Sequence, residues 1–345
     1  MNRVSAIKII GSIGLVISML LNGCTTNSIT DDNVSGNDLT ATEVIRLMGN
    51  GINLGNTLEA YNHKSYVELG VDPTSFETLW GQPVTTRDMI DDMKAMGFDT
   101  LRIPVAWTNG INYESGDYTI DERLMNRVDE VVNYALDADM YVILNEHWDG
   151  SWWGMFGSAD EAVREKGMAL YKSMWTQISE HFSDYSYKLI FESANEELCH
   201  RLNDSDVTGT EGVLSEDECY ETTNRINSEF VKLVRSTGGK NADRFLLIAG
   251  YNTDFRKTCD DRYQMPEDTA KDKLLLSVHY YTPWDYCSDG NAKRWGTPGD
   301  YEEQNSLFQM LTKFTDRGYG VVIGEYAVMG AANKPNRDKL RQSSG

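Results

Sequence analysis

The chain has 345 residues and a formal net charge of −21, because 53 acidic side chains outnumber 32 basic ones. Hydrophobic residues make up 40% and charged residues 25%, which is ordinary for a folded globular protein. A charge this negative argues against nucleic acid or an anionic membrane surface as a partner. A neutral ligand remains compatible with it.

The N-terminal 24 residues have the pattern of an export signal. A basic start precedes an apolar run of 13 residues, from Ile9 to Leu21, which is too short to span a bilayer comfortably. The run ends at Leu-Asn-Gly-Cys24, which resembles a bacterial lipoprotein cleavage site and predicts lipidation of Cys24; a plain signal peptide is the alternative. Residues 25–40 predict a polar tether. We therefore expect an exported protein that is either secreted or held at the membrane by this lipid alone.

Seven short apolar runs predict buried strands, and mostly helical segments separate them. The predicted strands are 51–56, 99–104, 140–144, 188–196, 245–249, 274–279 and 320–325. The predicted helices are 41–48, 85–96, 121–136, 159–182, 221–237 and 301–316, the second of which begins with Thr85 and Asp88 in capping-box order.

The strands lack polar alternation, which is typical of a parallel sheet covered by helices on both faces. A doubly wound open sheet is the alternative, but no Gly-x-Gly-x-x-Gly follows the first strand. Polar residues end nearly every strand, and a (β/α)8 TIM barrel builds its active site from those ends. The sequence therefore predicts an α/β protein with the (β/α)8 architecture.

Four cysteines follow Cys24, and export makes disulfides possible. Cys199 and Cys219 bracket a polar insertion, and Cys259 and Cys287 follow successive strands, so these are the preferred pairs. The alternative is unpaired buried thiols. The cysteine spacing does not resemble that of a metal site.

Two glutamates, Glu196 and Glu325, each end a buried strand. A pair of carboxylates is what hydrolysis of a glycosidic bond requires, since one protonates the leaving oxygen and the other attacks carbon or activates water. The alternative is that both merely end strands in an acidic protein. Arg102 lies inside an apolar run, where burial is costly without an anion, and Glu325 is its predicted partner.

Six motifs resemble glycoside hydrolase family 5, in family order from about residue 40 to 330, and most closely its endoglucanase and xyloglucanase subfamily. They are Gly51–Leu58, Leu101–Pro104, Tyr141–His147, Phe191–Glu196, Ser277–Tyr281 and Ile323–Glu325. The resemblance implies a retaining endo-β-1,4-glucanase that cleaves cellulose-type glucans without a metal or cofactor.

The resemblance also implies a role for each matching position. Glu196 would be the acid/base, Glu325 the nucleophile, and Asn195 the donor to the 2-hydroxyl of the sugar being cleaved. The expected supporting and substrate-binding residues are Asn53, Arg102, His147, Trp148, His279, Tyr281 and Trp284. Two positions depart from the family: Glu197 stands where proline is usual, and Trp148 where a second histidine is frequent.

Six tryptophans fall in the loops after the strands, and about half are expected to face the cleft, with Trp148 and Trp284 the best candidates. The six are Trp80, Trp107, Trp148, Trp152, Trp153 and Trp284. Indole faces suit sugar rings, although some tryptophans should simply pack between loops and helices.

Other functions stay open at this point. A xyloglucanase or another β-glycanase would use the same mechanism, and a surface lipoprotein that binds oligosaccharides would share the aromatic residues but not the supported carboxylates. A metal-dependent barrel hydrolase is less favoured, since no His-x-His or clustered carboxylate pair is present. We expect a monomer whose partner is a β-glucan.

The catalytic domain is predicted to span residues 41–345 and to be incomplete. Glu325 ends the seventh strand, and Pro335–Gln342 is long enough only to start the seventh helix. A (β/α)8 barrel needs an eighth strand, and the family places a tryptophan after it. The sequence therefore predicts truncation before that strand.

Overall fold

The computed structural model describes residues 38–287 and 295–327. The predicted export signal, Cys24 and most of the tether lie outside these ranges, as does Pro335–Gln342. The expectations about lipidation and C-terminal truncation therefore remain predictions. None of the helices in the described ranges is both long and apolar enough to cross a bilayer.

Seven parallel strands form one sheet in which each strand pairs with the next along the chain. They are β1 (Gly51–Asn53), β2 (Thr100–Ile103), β3 (Tyr141–Asn145), β4 (Leu189–Glu192), β5 (Leu246–Ala249), β6 (Leu274–Tyr280) and β7 (Gly320–Tyr326). The strands curve into a nearly closed barrel with helices outside, so the predicted (β/α)8 class is confirmed. The register between β6 and β7 shifts at Val278 and His279, which sets His279 opposite Glu325.

The helices are α1 (Ala41–Met48), α2 (His63–Leu69), α3 (Arg87–Ala95), α4 (Glu122–Asp137), α5 (Glu161–His181), α6 (Glu216–Ser236), α7 (Phe255–Thr258), α8 (Trp284–Cys287), α9 (Pro298–Met310) and α10 (Thr312–Thr315). Three predicted helices need correction. The cap of α3 is Thr86 instead of Thr85, because the Thr86 hydroxyl accepts the Met89 N–H. Helix α6 starts earlier than predicted, at a capping box whose N-cap is Ser215. The stretch 301–316 is two helices, α9 and α10.

The core explains why the strands lack alternation. In β3, Val142 and Leu144 pack in the layer between sheet and helices, whereas Tyr141 and Ile143 belong to a second cluster. That second cluster also contains Ala41, Val44 and Met48 of α1 together with residues of β4, β5 and β6. Apolar side chains are therefore needed on both faces of each strand.

The two edges of the sheet, β1 and β7, do not pair with each other in the described ranges. A groove between them is lined by residues that include Ile52 and Val321, and Asn53 donates its amide to the Gly324 carbonyl at 2.9 Å. No eighth strand occurs in residues 38–287 or 295–327.

The predicted disulfides are wrong, because all four cysteines of the described ranges are free thiols. Cys199 donates to Asn252 Oδ1 at 3.2 Å, while Cys219 accepts from Asn203 at 3.8 Å. Each thiol thus has its own polar neighbour. Cys259 likewise donates to the Met310 carbonyl, which leaves Cys287 without the predicted bridge. The alternative of unpaired thiols, most of them buried, is the one observed.

Candidate active site

Arg102 on β2 lies at the centre of the C-terminal end of the barrel, where its side chain is 3% exposed. The guanidinium donates to Glu192 at 2.7 Å and to Glu325 at 2.8 Å. It also donates to the side-chain oxygens of Asn195 at 2.9 Å and Asn53 at 3.1 Å. One buried cation therefore holds groups from β1, β4 and β7 in a fixed arrangement.

Glu325 is held as an anion by these surroundings. Burial would raise the pKa of Glu325, but the interactions with His279 and Arg102 outweigh burial and lower it to about 2. The Tyr281 hydroxyl donates to Glu325 Oε2 at 2.9 Å. Burial and the Glu325 charge both raise the pKa of Tyr281, so its hydroxyl keeps its proton. Two donors thus fix an ionised carboxylate whose side chain is only 19% exposed.

Glu196 follows β4 and faces the same space. His279 Nδ1 lies 2.8 Å from Glu196 Oε1 and 3.6 Å from Glu325 Oε2. One ligand atom from each of these three residues lies within 4.8 Å of the other two. Arg201 Nη2 lies 3.7 Å from Glu196 Oε2. The two glutamates predicted from the sequence are therefore brought together, with His279 between them.

His147, at the end of β3, lies on the other side of Glu325, with 4.0 Å between its Nε2 and Glu325 Oε1. Burial, followed by the charge of Arg102, lowers the pKa of His147 to about 3. The imidazole is therefore neutral near pH 7. Its Nδ1 lies 3.2 Å from the Asn145 amide, which fixes the ring orientation.

The tryptophans divide into two groups. Trp107, Trp152 and Trp153 are buried and belong to the core. Trp148 is partly exposed, with its ring edge-on to Tyr61, and Trp284 is 63% exposed. Trp284 also lines a cavity of about 400 Å³ that opens beside Glu196, so it is well placed to contact a substrate.

Sequence reasoning missed two residues that contact the predicted ones. Glu192 is fully buried in β4, where it binds Arg102 and accepts the Ser277 hydroxyl at 2.6 Å. A glutamate inside an apolar strand needs a partner for the same reason as Arg102 does, so that signal was available. Arg201 lies in the polar insertion after Glu196, where the sequence offered no comparable signal.

A second set of acidic side chains lies buried near Glu196. Glu197, 1% exposed, turns inward instead of reaching solvent. Glu146 and Asp149 are fully buried at the end of β3. Asp149 interacts electrostatically with both Glu146 and Glu197, and Glu146 also interacts with Glu197. Burial raises the pKa of Glu197 to about 8 and that of Asp149 to about 7, and it raises the pKa of Glu146 as well. These carboxyl groups form a neutral or partly neutral cluster near pH 7.

Comparison with known protein families agrees with this geometry. The model of the Cellulase family, glycosyl hydrolase family 5, matches residues 64–343. The chain belongs to glycosyl hydrolase family 5. All six motifs singled out in the sequence lie in or just before this matched region.

Curated relatives are similar over most of this chain. Endoglucanase A of Paenibacillus barcinonensis is 34% identical, covering 87% of this chain and 75% of the relative. Endoglucanase A of Clostridium longisporum is 36% identical over 88% of this chain and 56% of its own length. The xyloglucan-specific endo-β-1,4-glucanase of Bacteroides ovatus is 34% identical over 86% of this chain and 59% of its own length. The chain thus spans between about half and three quarters of these relatives.

Solved structures agree with the fold. The broad-specificity endoglucanase of Ruminococcus champanellensis, solved with bound cellotriose, has a TM-score of 0.72 and 34% identity, covering 87% of this chain and 82% of that one. The corresponding enzyme from Clostridium longisporum gives a TM-score of 0.73 at 34% identity, covering 88% and 84%. These comparisons confirm the predicted family and the predicted enzyme class, a glycoside hydrolase of the endoglucanase type.

Proposed function

We propose that this protein is a retaining endo-β-1,4-glucanase, with Glu196 as acid/base and Glu325 as nucleophile. The observation that carries the proposal is the close approach of the two carboxylates, which contribute oxygens within 4.8 Å of each other. Retaining glycosidases separate their carboxyl groups by about 5–5.5 Å, whereas inverting ones leave roughly 6.5–9.5 Å for a water molecule. The ionised, doubly hydrogen-bonded Glu325 suits direct attack on the anomeric carbon.

The reaction follows as two displacements. Glu325 attacks the anomeric carbon while Glu196 gives its proton to the leaving oxygen, which forms a glycosyl-enzyme ester. Water, deprotonated by Glu196, then attacks the same carbon and releases Glu325. Asn195 Oδ1 accepts a hydrogen bond from Arg102, which leaves the side-chain NH2 group of Asn195 to donate to a sugar hydroxyl. His147 and His279 line this cleavage position.

The two carboxylates perform both the proton transfer and the attack, so the proposed reaction uses no metal and no cofactor. Within the described part of the chain, Glu196, His279 and Glu325 also form a group of potential metal ligands. A metal bound by these three residues would occupy the two carboxylates that the proposed reaction needs, and would therefore inhibit it. Activity should therefore survive treatment with a chelator.

The proposed substrate is a β-1,4-glucan of the cellulose type. Xyloglucan is the second candidate, because one relative of 34% identity is named as specific for it. Comparing initial rates on barley β-glucan and on xyloglucan decides between these substrates. A reducing-sugar assay without activity on either would favour the alternative of a non-catalytic oligosaccharide-binding protein.

Export, lipidation of Cys24 and a monomeric state belong to the same proposal and are supported by the sequence pattern alone. A Cys24→Ser variant should lose incorporation of labelled palmitate and leave the membrane fraction. Sedimentation of the lipid-free protein should give the mass of a single chain.

Two glutamine variants test the catalytic assignment. Glu196→Gln should lose activity on glucan, by a factor of about 10²–10⁴, yet retain much more on an aryl cellobioside whose good leaving group needs no proton. Glu325→Gln should lose both activities. NMR of the first product should show the β-anomer; the α-anomer, or equal losses of both activities in Glu196→Gln, would overturn the assignment.

A further inference from the structure

Glu197 carries an unusual interaction for a residue next to an acid/base. Its Oε2 accepts the backbone N–H of Asn195 at 3.1 Å, in a buried setting. The hydrogen bond spans Glu196 and closes a small ring around it. Asn195 and Glu196 both face the reaction, so the bond constrains the peptide units that carry two proposed functional side chains.

The Glu197 carboxyl group does not act as the partner of any basic side chain that the structure describes. It makes no ion pair with any residue of the described ranges, and its Oε1 has no hydrogen-bond partner. The groups that act on it electrostatically are Arg201, Glu196 and Asp149, with Glu146 behind them. Burial without a counter-ion favours the neutral acid. Besides its own backbone N–H, the donor that the Glu197 carboxyl group accepts from is the N–H of Asn195.

Proline, the usual residue of the family at this position, gives a physical comparison. A proline restricts the backbone of the residue before it to extended conformations. At position 197 it would restrict Glu196. The hydrogen bond from Asn195 to Glu197 restrains the same residue from its other side.

We propose that Glu197 is a positioning residue for general acid–base catalysis, which fixes the backbone of Glu196 by accepting the N–H of Asn195. The proposal rests on the proposed role of Glu196 as acid/base. Loss of the acceptor would let the Glu196 carboxyl leave its position over the leaving oxygen, while Glu325 stays fixed by Arg102 and Tyr281.

The test uses two substitutions of similar size. Glu197→Met fills the same space without an acceptor, and Glu197→Gln keeps an oxygen that can accept the N–H. On β-glucan, Glu197→Met should lower kcat by about tenfold or more, because that substrate needs the proton. On an activated aryl cellobioside the loss should stay within about threefold, with KM nearly unchanged. Glu197→Gln should recover most of the lost kcat.

Glu77→Met is the matched control. Glu77 is also a buried glutamate that accepts a backbone N–H, from Thr85 at 2.7 Å, although unlike Glu197 it pairs with an arginine, Arg127. Neither Glu77 nor Thr85 lines the cavity beside Glu196. Loss of the Glu77 carboxyl group should lower stability and leave the ratio of kcat on β-glucan to kcat on the aryl cellobioside at the wild-type value. A wild-type ratio in Glu197→Met would show that Glu197 is merely structural.

Further outcomes separate the possible failures. If Glu197→Gln loses as much activity on β-glucan as Glu197→Met, the acceptor role is wrong. If Glu197→Met has wild-type kcat on β-glucan, the positioning proposal is wrong as a whole. If Glu196→Gln itself fails to distinguish the two substrates, the proposed function fails first, whatever the Glu197 variants show.

Discussion

The candidate active site contains two sets of buried carboxyl groups. The members of one set share the cation Arg102, and the members of the other set have no cation bound to them among the residues that the structure describes. Glu192 and Glu325 both contact Arg102, at 2.7 Å and 2.8 Å. Glu197, Glu146 and Asp149 form no ion pair within the described ranges, although all three are buried. The pKa of Glu325 falls to about 2, while that of Glu197 rises to about 8.

The difference teaches that burial alone does not decide the charge of a carboxyl group. Burial acts in the same direction on Glu325 and on Glu197, and it favours the neutral acid in both. The interactions of Glu325 with His279 and with the Arg102 guanidinium reverse the outcome for Glu325. The charge of Glu325 therefore depends on His279 and Arg102, whereas the neutral cluster has no such cation at hydrogen-bonding distance in the described part of the chain.

The largest expected effect comes from removing the shared cation. Arg102→Gln should lower kcat by about a hundredfold or more, since Glu325 loses a donor that fixes and ionises it. Burial then acts unopposed by Arg102, so the pKa of Glu325 should rise and the acid limb of the kcat/KM profile should move to higher pH. Stability should fall by about 3–5 kcal/mol, because Glu192 stays buried without its cation.

Arg127→Gln is the control for this prediction. Arg127 pairs with the buried Glu77 at 2.9 Å, and neither residue lines the cavity beside Glu196. This variant should lose stability in the same way and keep both kcat and the acid limb. An Arg102→Gln enzyme with an unmoved acid limb would show that the cation does not set the charge of Glu325.

The sequence predicted the fold well, because the pattern of a parallel barrel is local. A short apolar run with both faces buried needs no knowledge of its partner, and all seven predicted strands occur. Helix starts depended on which polar residue turns to accept an N–H, so Thr85 was chosen where Thr86 caps the helix. The disulfides failed because pairing depends on side-chain direction, and Cys199 faces Asn252.

For the site, residues at strand ends could be predicted because parallel strands deliver them to one edge. The pairing of Arg102 with Glu325 followed from the cost of a buried charge. The inward turn of Glu197 could not be derived, since the adjacent residue Glu196 faces the cleft and a loop has no fixed alternation. The position of Arg201 was equally unpredictable, because it depends on how the insertion packs.

A smaller effect is expected from the neutral cluster, as a dependence of stability on pH. Glu197 and Asp149 have raised pKa values in the folded protein, of about 8 and about 7. Between pH 5 and 8 the folded chain holds protons on Glu197 and Asp149 that the unfolded chain has released, which lowers stability as pH rises. His147 opposes part of this fall below about pH 6.5, because it is neutral in the folded chain and protonated in the unfolded one. The free energy of unfolding should drop by roughly 2–4 kcal/mol over this interval.

Glu197→Gln checks the source of that slope. The glutamine cannot ionise in either state, so the slope between pH 5 and 8 should become shallower. Urea titrations at several pH values measure it, with the exposed Glu218→Gln as the matched substitution that should leave the slope unchanged. An unaltered slope in Glu197→Gln would mean that Glu197 is already ionised in the folded protein.

The smallest expected effect concerns a residue outside both sets of carboxyls. Trp284 is 63% exposed and lines the cavity beside Glu196. Stacking on an exposed indole is worth about 1 kcal/mol, so Trp284→Ala should raise KM on β-glucan about fivefold with kcat nearly unchanged. Trp80→Ala is the matched control, because Trp80 is 43% exposed but absent from that lining. Equal effects of the two substitutions would indicate that Trp284 has no specific contact with the substrate. A fall in kcat for Trp284→Ala would mean instead that Trp284 acts on Tyr281, because the two rings meet edge-on at 6.4 Å. Tyr281 in turn donates to Glu325, so the effect would reach the carboxylate through that hydrogen bond.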